Sequence, residues 1–150
     1  YQHLEDKQIP KLFSEDKKVQ LNIIAGKHKQ ESGLIKTQTD MNVFSAKATE
    51  GGKMEIEISE KHQSLIYLLE GEILVNNSET LEKGKNQMIT FNQDGSTVVF
   101  EAIKESVILI LSGEPIKEKI SQHGPFVMNT QTEILEAIRD FQDGKMGHLY

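Results

Sequence analysis

Apolar and polar residues alternate in short runs along most of this chain, and each run has the length of a strand. Residues 19–24 alternate until Ala25-Gly26 stops them. A polar loop over 27–33 closes at Gly33, and strands are predicted at 33–37 and 43–48, the latter ended by Gly51-Gly52. Over 53–59 the alternation is cleanest: Met54, Ile56 and Ile58 face one way, Glu55 and Glu57 the other. Residues 65–69 and 73–75 flank Glu70-Gly71-Glu72, which reads as a tight hairpin, and Asn76-Asn77-Ser78 is a further turn. More strands follow at 88–91, 97–100 and 107–111. Strands roughly every ten residues, with no helix before position 130, predict an all-β antiparallel sandwich or barrel.

The pattern changes only near the C-terminus. Thr130-Gln131-Thr132-Glu133 fits a capping box, in which the Thr130 hydroxyl and the Glu133 carboxylate satisfy two backbone donors at a helix start. Ile134, Ala137, Ile138 and Phe141 follow at helical spacing, with Leu135 at their border, and Gly144 is placed to end the helix. A helix of about 12 residues is marginal alone and must dock on something. Ahead of it, Pro125-Phe126-Val127-Met128 is an apolar run that fits either local core or a seam with a partner.

Composition narrows the function classes. Net charge is −6, from 17 Lys and Arg against 23 Asp and Glu, and Arg139 is the single arginine. Without clustered cations the surface is not built to neutralise phosphates, so no direct nucleic-acid partner is expected. With no cysteine there is no disulfide framework or thiolate metal site, which suits a reducing compartment. No apolar run reaches the roughly 20 residues of a membrane helix, so no membrane partner is expected. There is no G-x-S-x-G, P-loop or dinucleotide fingerprint.

Ser112-Gly113-Glu114-Pro115, Gly124-Pro125-Phe126-Val127-Met128-Asn129-Thr130, Glu133-Ile134, Asp140-Phe141 and Gly144-Lys145 closely resemble the C-terminal end of the pirin family. Tyr1-Gln2 and Ile9-Pro10 look like the segment that opens the second half of those proteins. Pirins are bicupins with a metal site in the N-terminal barrel. The resemblance therefore implies an antiparallel cupin, or jelly-roll, β-barrel with a short C-terminal α-helix. It implies an arm from a missing N-terminal domain over residues 1–18 and a cupin-like domain over 19–150. It also implies iron in that N-terminal domain, the N-terminal domain as this chain's partner, and a cytoplasmic location. Some family members are quercetin 2,3-dioxygenases and some are described as transcriptional co-regulators.

A cupin centre is built on G-x5-H-x-H-x3-4-E-x6-G and G-x5-P-x-G-x2-H-x3-N. H-x-H works because residues i and i+2 of a strand share a face. Gly52 and Gly71 stand at the spacing of the first motif, which puts Ile58 and Glu60 at its histidine positions and Ser64 at its glutamate position. Gly84 opens a looser second motif, with Thr90 at the proline and Gly95 at the third histidine. Only Glu60 could ligate, so neither a metal site nor a catalytic residue is expected in this chain. His3, His28, His62, His123 and His148 form no H-x-H or H-x3-H pair. His62 is expected to be a loop histidine, and His123 a packing or hydrogen-bonding one.

The expectation is thus a non-catalytic cupin half that supports an iron-binding N-terminal half, in a protein similar to the quercetin 2,3-dioxygenases. Its contacts with that partner are expected at Pro125, Phe126, Val127, Met128, Ile134, Ile138 and Phe141. Alone, the chain would cover that surface by self-association or hold the segment loosely. The alternatives are an enzyme with an unrecognised site, and an interaction module or transcriptional co-regulator domain.

Overall fold

The computed structural model of the chain describes residues 4–147, so Tyr1-Gln2, His3 and His148 lie outside the described residues. The chain divides into two compact units, Tyr1–Pro115 and Ile116–Tyr150.

Among the described residues, the first unit has twelve strands: β1 (Lys11–Phe13), β2 (Val19–Ala25), β3 (Lys27–His28), β4 (Glu31–Ser32), β5 (Met41–Ala48), β6 (Lys53–Glu57), β7 (Gln63–Glu70), β8 (Glu72–Val75), β9 (Glu79–Glu82), β10 (Met88–Phe91), β11 (Thr97–Ala102) and β12 (Ser106–Gly113). Six form one sheet in the order β1-β2-β5-β12-β7-β10, and four form a second in the order β6-β11-β8-β9. All pairs in both sheets are antiparallel. Alternate residues of each sheet meet in one core: Leu21, Ile23, Phe44, Ile66, Leu68, Ile108 and Ile110 from the larger, and Ile56, Ile73, Val75, Leu81, Val98 and Phe100 from the smaller. The result is the jelly-roll architecture of a cupin, with the two sheets separate along their edges. Alternation on β6 is as predicted: Ile56 is buried, and Glu55 and Glu57 are exposed.

Two local expectations are corrected. Glu70-Gly71-Glu72 is not a hairpin: β7 belongs to the larger sheet and β8 to the smaller, so Gly71 is where the chain crosses between sheets. The hairpin lies one turn later, where Asn76 and Asn77 both take positive φ (49° and 56°) to join β8 to β9. Residues 33–37 make no strand; Ile35 forms only a single bridge to Ala25. Within the stretch read as an arm, Lys11–Phe13 lies along the larger sheet as an edge strand paired to β2.

The second unit contains the hairpin of β13 (Ser121–His123) and β14 (Phe126–Met128), followed by α1 (Gln131–Gln142). The predicted cap is formed: Thr130 Oγ1 accepts from the Glu133 backbone N–H, and the Glu133 carboxylate accepts from the Thr130 N–H at 2.8 Å. Helix α1 packs on the hairpin, with Phe126 edge-on to Phe141 at a centroid distance of 6.1 Å.

Candidate functional site

The strand register gathers one set of strand ends. Met41 and Asn42 open β5 opposite Gly113 and Ser112, which close β12. Ser112 and Gly113 also face Ser64 and Gln63 at the start of β7, and Ser64 faces Phe91 at the end of β10. In the other sheet, the end of β6 at Glu57 faces the start of β11 at Thr97. Ile58, Ser64 and Gly95, and Glu60 between the first two, all stand in or beside these ends, where the cupin motif puts its ligands.

The chemistry at those positions does not suit a metal. Ile58 is buried as part of the core, Ser64 is half-buried, and Glu60 and Gly95 are exposed. Among the described residues, no three His, Cys, Asp or Glu side chains converge to hold an ion. The four-ligand cupin centre therefore has no donor set here, and no reaction step is assigned to it.

A polar chain occupies the same end instead. Asn42 Oδ1 accepts from the Lys27 backbone N–H at 3.1 Å, which turns the Asn42 amide nitrogen toward Ser112 Oγ at 3.0 Å. Gly26, with φ +83°, makes room: a Cβ there would stand 2.1 Å from Asn42 Oδ1. Ser112 Oγ in turn lies 3.1 Å from His62 Nδ1, and His62 Nε2 lies 3.3 Å from Asp40 Oδ2. That last approach is of ion-pair length but not of hydrogen-bond direction, so Nε2 is buried without a hydrogen-bond partner. Asn42, Ser112 and His62 are buried, whereas the Asp40 side chain is 73 % exposed. The Asp40 backbone is fixed by its carbonyl, which accepts from Glu114 N–H at 3.0 Å.

Three clefts open here. The largest, about 780 Å³, is lined by Thr39, Met41, Gln63, Ser64, Thr90 and Ser112 among others. His62 and Ile58 form part of the wall of the other two. One of these, about 710 Å³, carries Asp40, Glu55 and Glu57 together with Lys27 and Lys29.

His62 stands in the loop between β6 and β7, as expected, but its ring is buried. Sequence reading missed this group because Asp40, His62 and Ser112 are far apart in the chain. The one available signal was that His62 follows the second histidine position of the motif by two residues. His28 is a second buried imidazole, 6.0 Å from the Phe44 ring, with Nδ1 unpartnered. Burial first, and then the Lys29 charge, hold it below its ordinary pKa, against an opposing pull from Glu57. His123 is exposed at the end of β13.

In the second unit, Ile134 and Ala137 are buried, and Phe126, Met128 and Ile138 are half-buried. Pro125, Val127, Leu135 and Phe141 are exposed, so Leu135 and Phe141 do not join the buried face of the helix as the spacing predicts.

Residues 43–147 match the family described as the Pirin C-terminal cupin domain. Rat pirin is 32 % identical over 149 residues, covering 98 % of this chain and 50 % of its own length. A Pseudomonas aeruginosa protein, named as a candidate quercetin 2,3-dioxygenase, is 30 % identical over 145 residues, covering 97 % and 50 %. The 1.88 Å crystal structure of quercetin 2,3-dioxygenase from Acinetobacter baumannii superposes with a TM-score of 0.89 at 35 % identity, over 100 % of this chain and 51 % of that one. The chain thus spans about half the length of the curated relatives it matches. Among the described residues, no helix is long and apolar enough to cross a membrane.

Proposed function

This chain belongs to the family of pirin C-terminal cupin domains, and from that premise we propose that it is the supporting half of a pirin-like bicupin. In this reading an N-terminal cupin domain binds iron and carries a quercetin 2,3-dioxygenase-like reaction in the cytoplasm. The observation that carries the reading is the fate of the cupin motif: its glycines Gly52 and Gly71 remain, while Ile58 fills the first histidine position as buried core. A domain that keeps the frame, gives the first ligand position to packing and puts no imidazole at the others contributes shape rather than the reaction centre.

The proposed contact with the N-terminal domain runs through the second unit, at Pro125, Phe126, Val127, Met128, Ile134, Ile138 and Phe141. It is supported by Val127 and Phe141, apolar residues that stand largely in solvent. The test is to express this chain, the N-terminal half, and both together, and to follow quercetin loss under oxygen. Activity is expected only where the N-terminal half is present, and a Glu60→Gln substitution should leave it unchanged. Oxidation of quercetin by this chain alone would overturn the proposal.

A further inference from the structure

We infer that the outer face of the larger sheet is a docking surface for the N-terminal cupin domain and takes an apolar sheet face of that domain. The inference rests on the bicupin reading above and adds a contact within the first unit. The first ground is the strand pattern. A strand with one solvated face alternates apolar and polar residues, whereas a strand covered on both faces reads as a continuous apolar run. Strand β7 carries Leu65-Ile66-Tyr67-Leu68-Leu69, and β12 carries Val107-Ile108-Leu109-Ile110-Leu111. Ile66, Leu68, Ile108 and Ile110 occupy the core, so Leu65, Tyr67, Leu109 and Leu111 stand on the opposite face.

The second ground is register. Val43, Leu111 and Leu65 stand side by side across β5, β12 and β7, and Leu109, Tyr67 and Met88 across β12, β7 and β10. Thr90 and Ser45 extend these rows without adding a charge. The smaller sheet shows the opposite. Its outward positions carry Lys53, Glu55 and Glu57 on β6 and Glu101 on β11, as a face left to water does. Both sheets share one core, so the contrast lies in what each turns away from it.

The third ground is size. The part of the face on β5, β12, β7 and β10 measures on the order of 500 Å² from strand length and spacing. Covered by a matching face, it would bury roughly 1,000 Å² in total, the lower bound for a specific interface. A cleft of about 780 Å³, lined by Met41, Leu65 and Leu111 among others, gives an anchoring side chain of the partner a place to seat. The occupant follows from length. The Acinetobacter baumannii structure aligns with all of this chain over 51 % of its own, which leaves a stretch of similar length for a second domain. A domain on a short tether meets the face at an effective concentration on the order of millimolar, an advantage that a free second copy lacks.

The test titrates the full 150-residue chain with the separately expressed, folded N-terminal half and follows side-chain methyl groups by NMR. The methyls of Leu65, Leu109, Leu111 and Met88 are expected to shift, while those of Ile66, Ile108 and Ile110 on the inner face stay in place. Met88→Glu should weaken association at least about 10-fold and Leu109→Lys at least about 100-fold, since each buries an unpaired charge. Met88 is 55 % exposed, so Met88→Glu is expected to fold even if Leu109→Lys does not. Glu55→Gln, on the outer face of the other sheet, should change nothing. Association that ignores folded Met88→Glu and Leu109→Lys but is lost in Phe141→Ser would overturn this face and leave the bicupin reading standing. Outward methyl shifts that grow with the concentration of this chain alone would also overturn it, by giving the face to a second copy. No association at all would overturn both.

Discussion

A Cβ on Gly71 would stand 2.2 Å from the carbonyl oxygen of Glu105 and 2.3 Å from Ser106 Oγ. Gly71 takes φ +90° as the chain passes from β7 in one sheet to β8 in the other. Ser106 closes the same crossing, since its hydroxyl accepts from Glu72 N–H at 3.0 Å. Gly71→Ala thus combines a disfavoured backbone conformation with a clash against backbone. It is expected to lower stability by about 2–5 kcal/mol, measured by urea unfolding. A loss under 1 kcal/mol would show that the crossing can rearrange.

Ile58 is the next test of the frame. It follows β6, lies in the core and is 6 % exposed. Ile58→Ala should cost about 2–4 kcal/mol as a buried large-to-small change. Ile58→His alone should not create a cupin centre, because Ser64 and Gly95 supply no companion ligand. Urea midpoints check the first expectation and metal titration the second.

These positions also show what was legible in the sequence. The parity of Met54, Ile56 and Ile58 against Glu55 and Glu57 is local, and it placed Ile58 in the core correctly. Strand β9 escaped because Glu79-Thr80-Leu81-Glu82 offers one apolar residue, although Leu81 is buried. Gly71 was seen, but a tight turn and a crossing between sheets look alike when both are one glycine between strands. The site at 40, 62 and 112 was invisible for a different reason. Asp40 and Ser112 approach His62 only through the pairing of β5 with β12 and of β12 with β7. Such contacts are a property of register, which no short window of sequence contains.

His28 gives the chain a pH-dependent stability of known sign. Its folded pKa lies below the ordinary value of 6.5, chiefly because burial disfavours the charged ring. Between the folded and unfolded values the unfolded chain binds more protons, so stability rises with pH there. The contribution is complete above about pH 6.5 and is lost as pH falls below it. Urea midpoints taken from pH 8 down to pH 5 should decline less steeply in His28→Leu than in the parent. Parallel declines would remove His28 as the cause.

The last prediction concerns the second unit, where Leu135 and Phe141 are 63 % and 64 % exposed and Val127 is 58 % exposed. Apolar residues grouped on one small hairpin and helix are costly to leave in water, and large apolar patches on monomers mark interaction sites. Within the unit the helix has its cap and buries Ile134 and Ala137, so it can form without the patch being covered. The helix is thus specified locally, and the proposed contact would add protection to it rather than form it. Amide exchange over residues 125–143 should therefore be faster than over β6 and β12, whose hydrogen bonds lie in the sandwich. Adding the N-terminal half in trans should slow exchange over 125–143 and reduce binding of a dye that reports exposed apolar surface. Phe141→Ser should abolish that added protection while leaving β6 and β12 unchanged. Slowing that appears instead with rising concentration of this chain alone would identify a second copy as the occupant. Uniform protection in the isolated chain, unaltered by the N-terminal half, would show that the patch has no partner there and would favour the interaction-module reading.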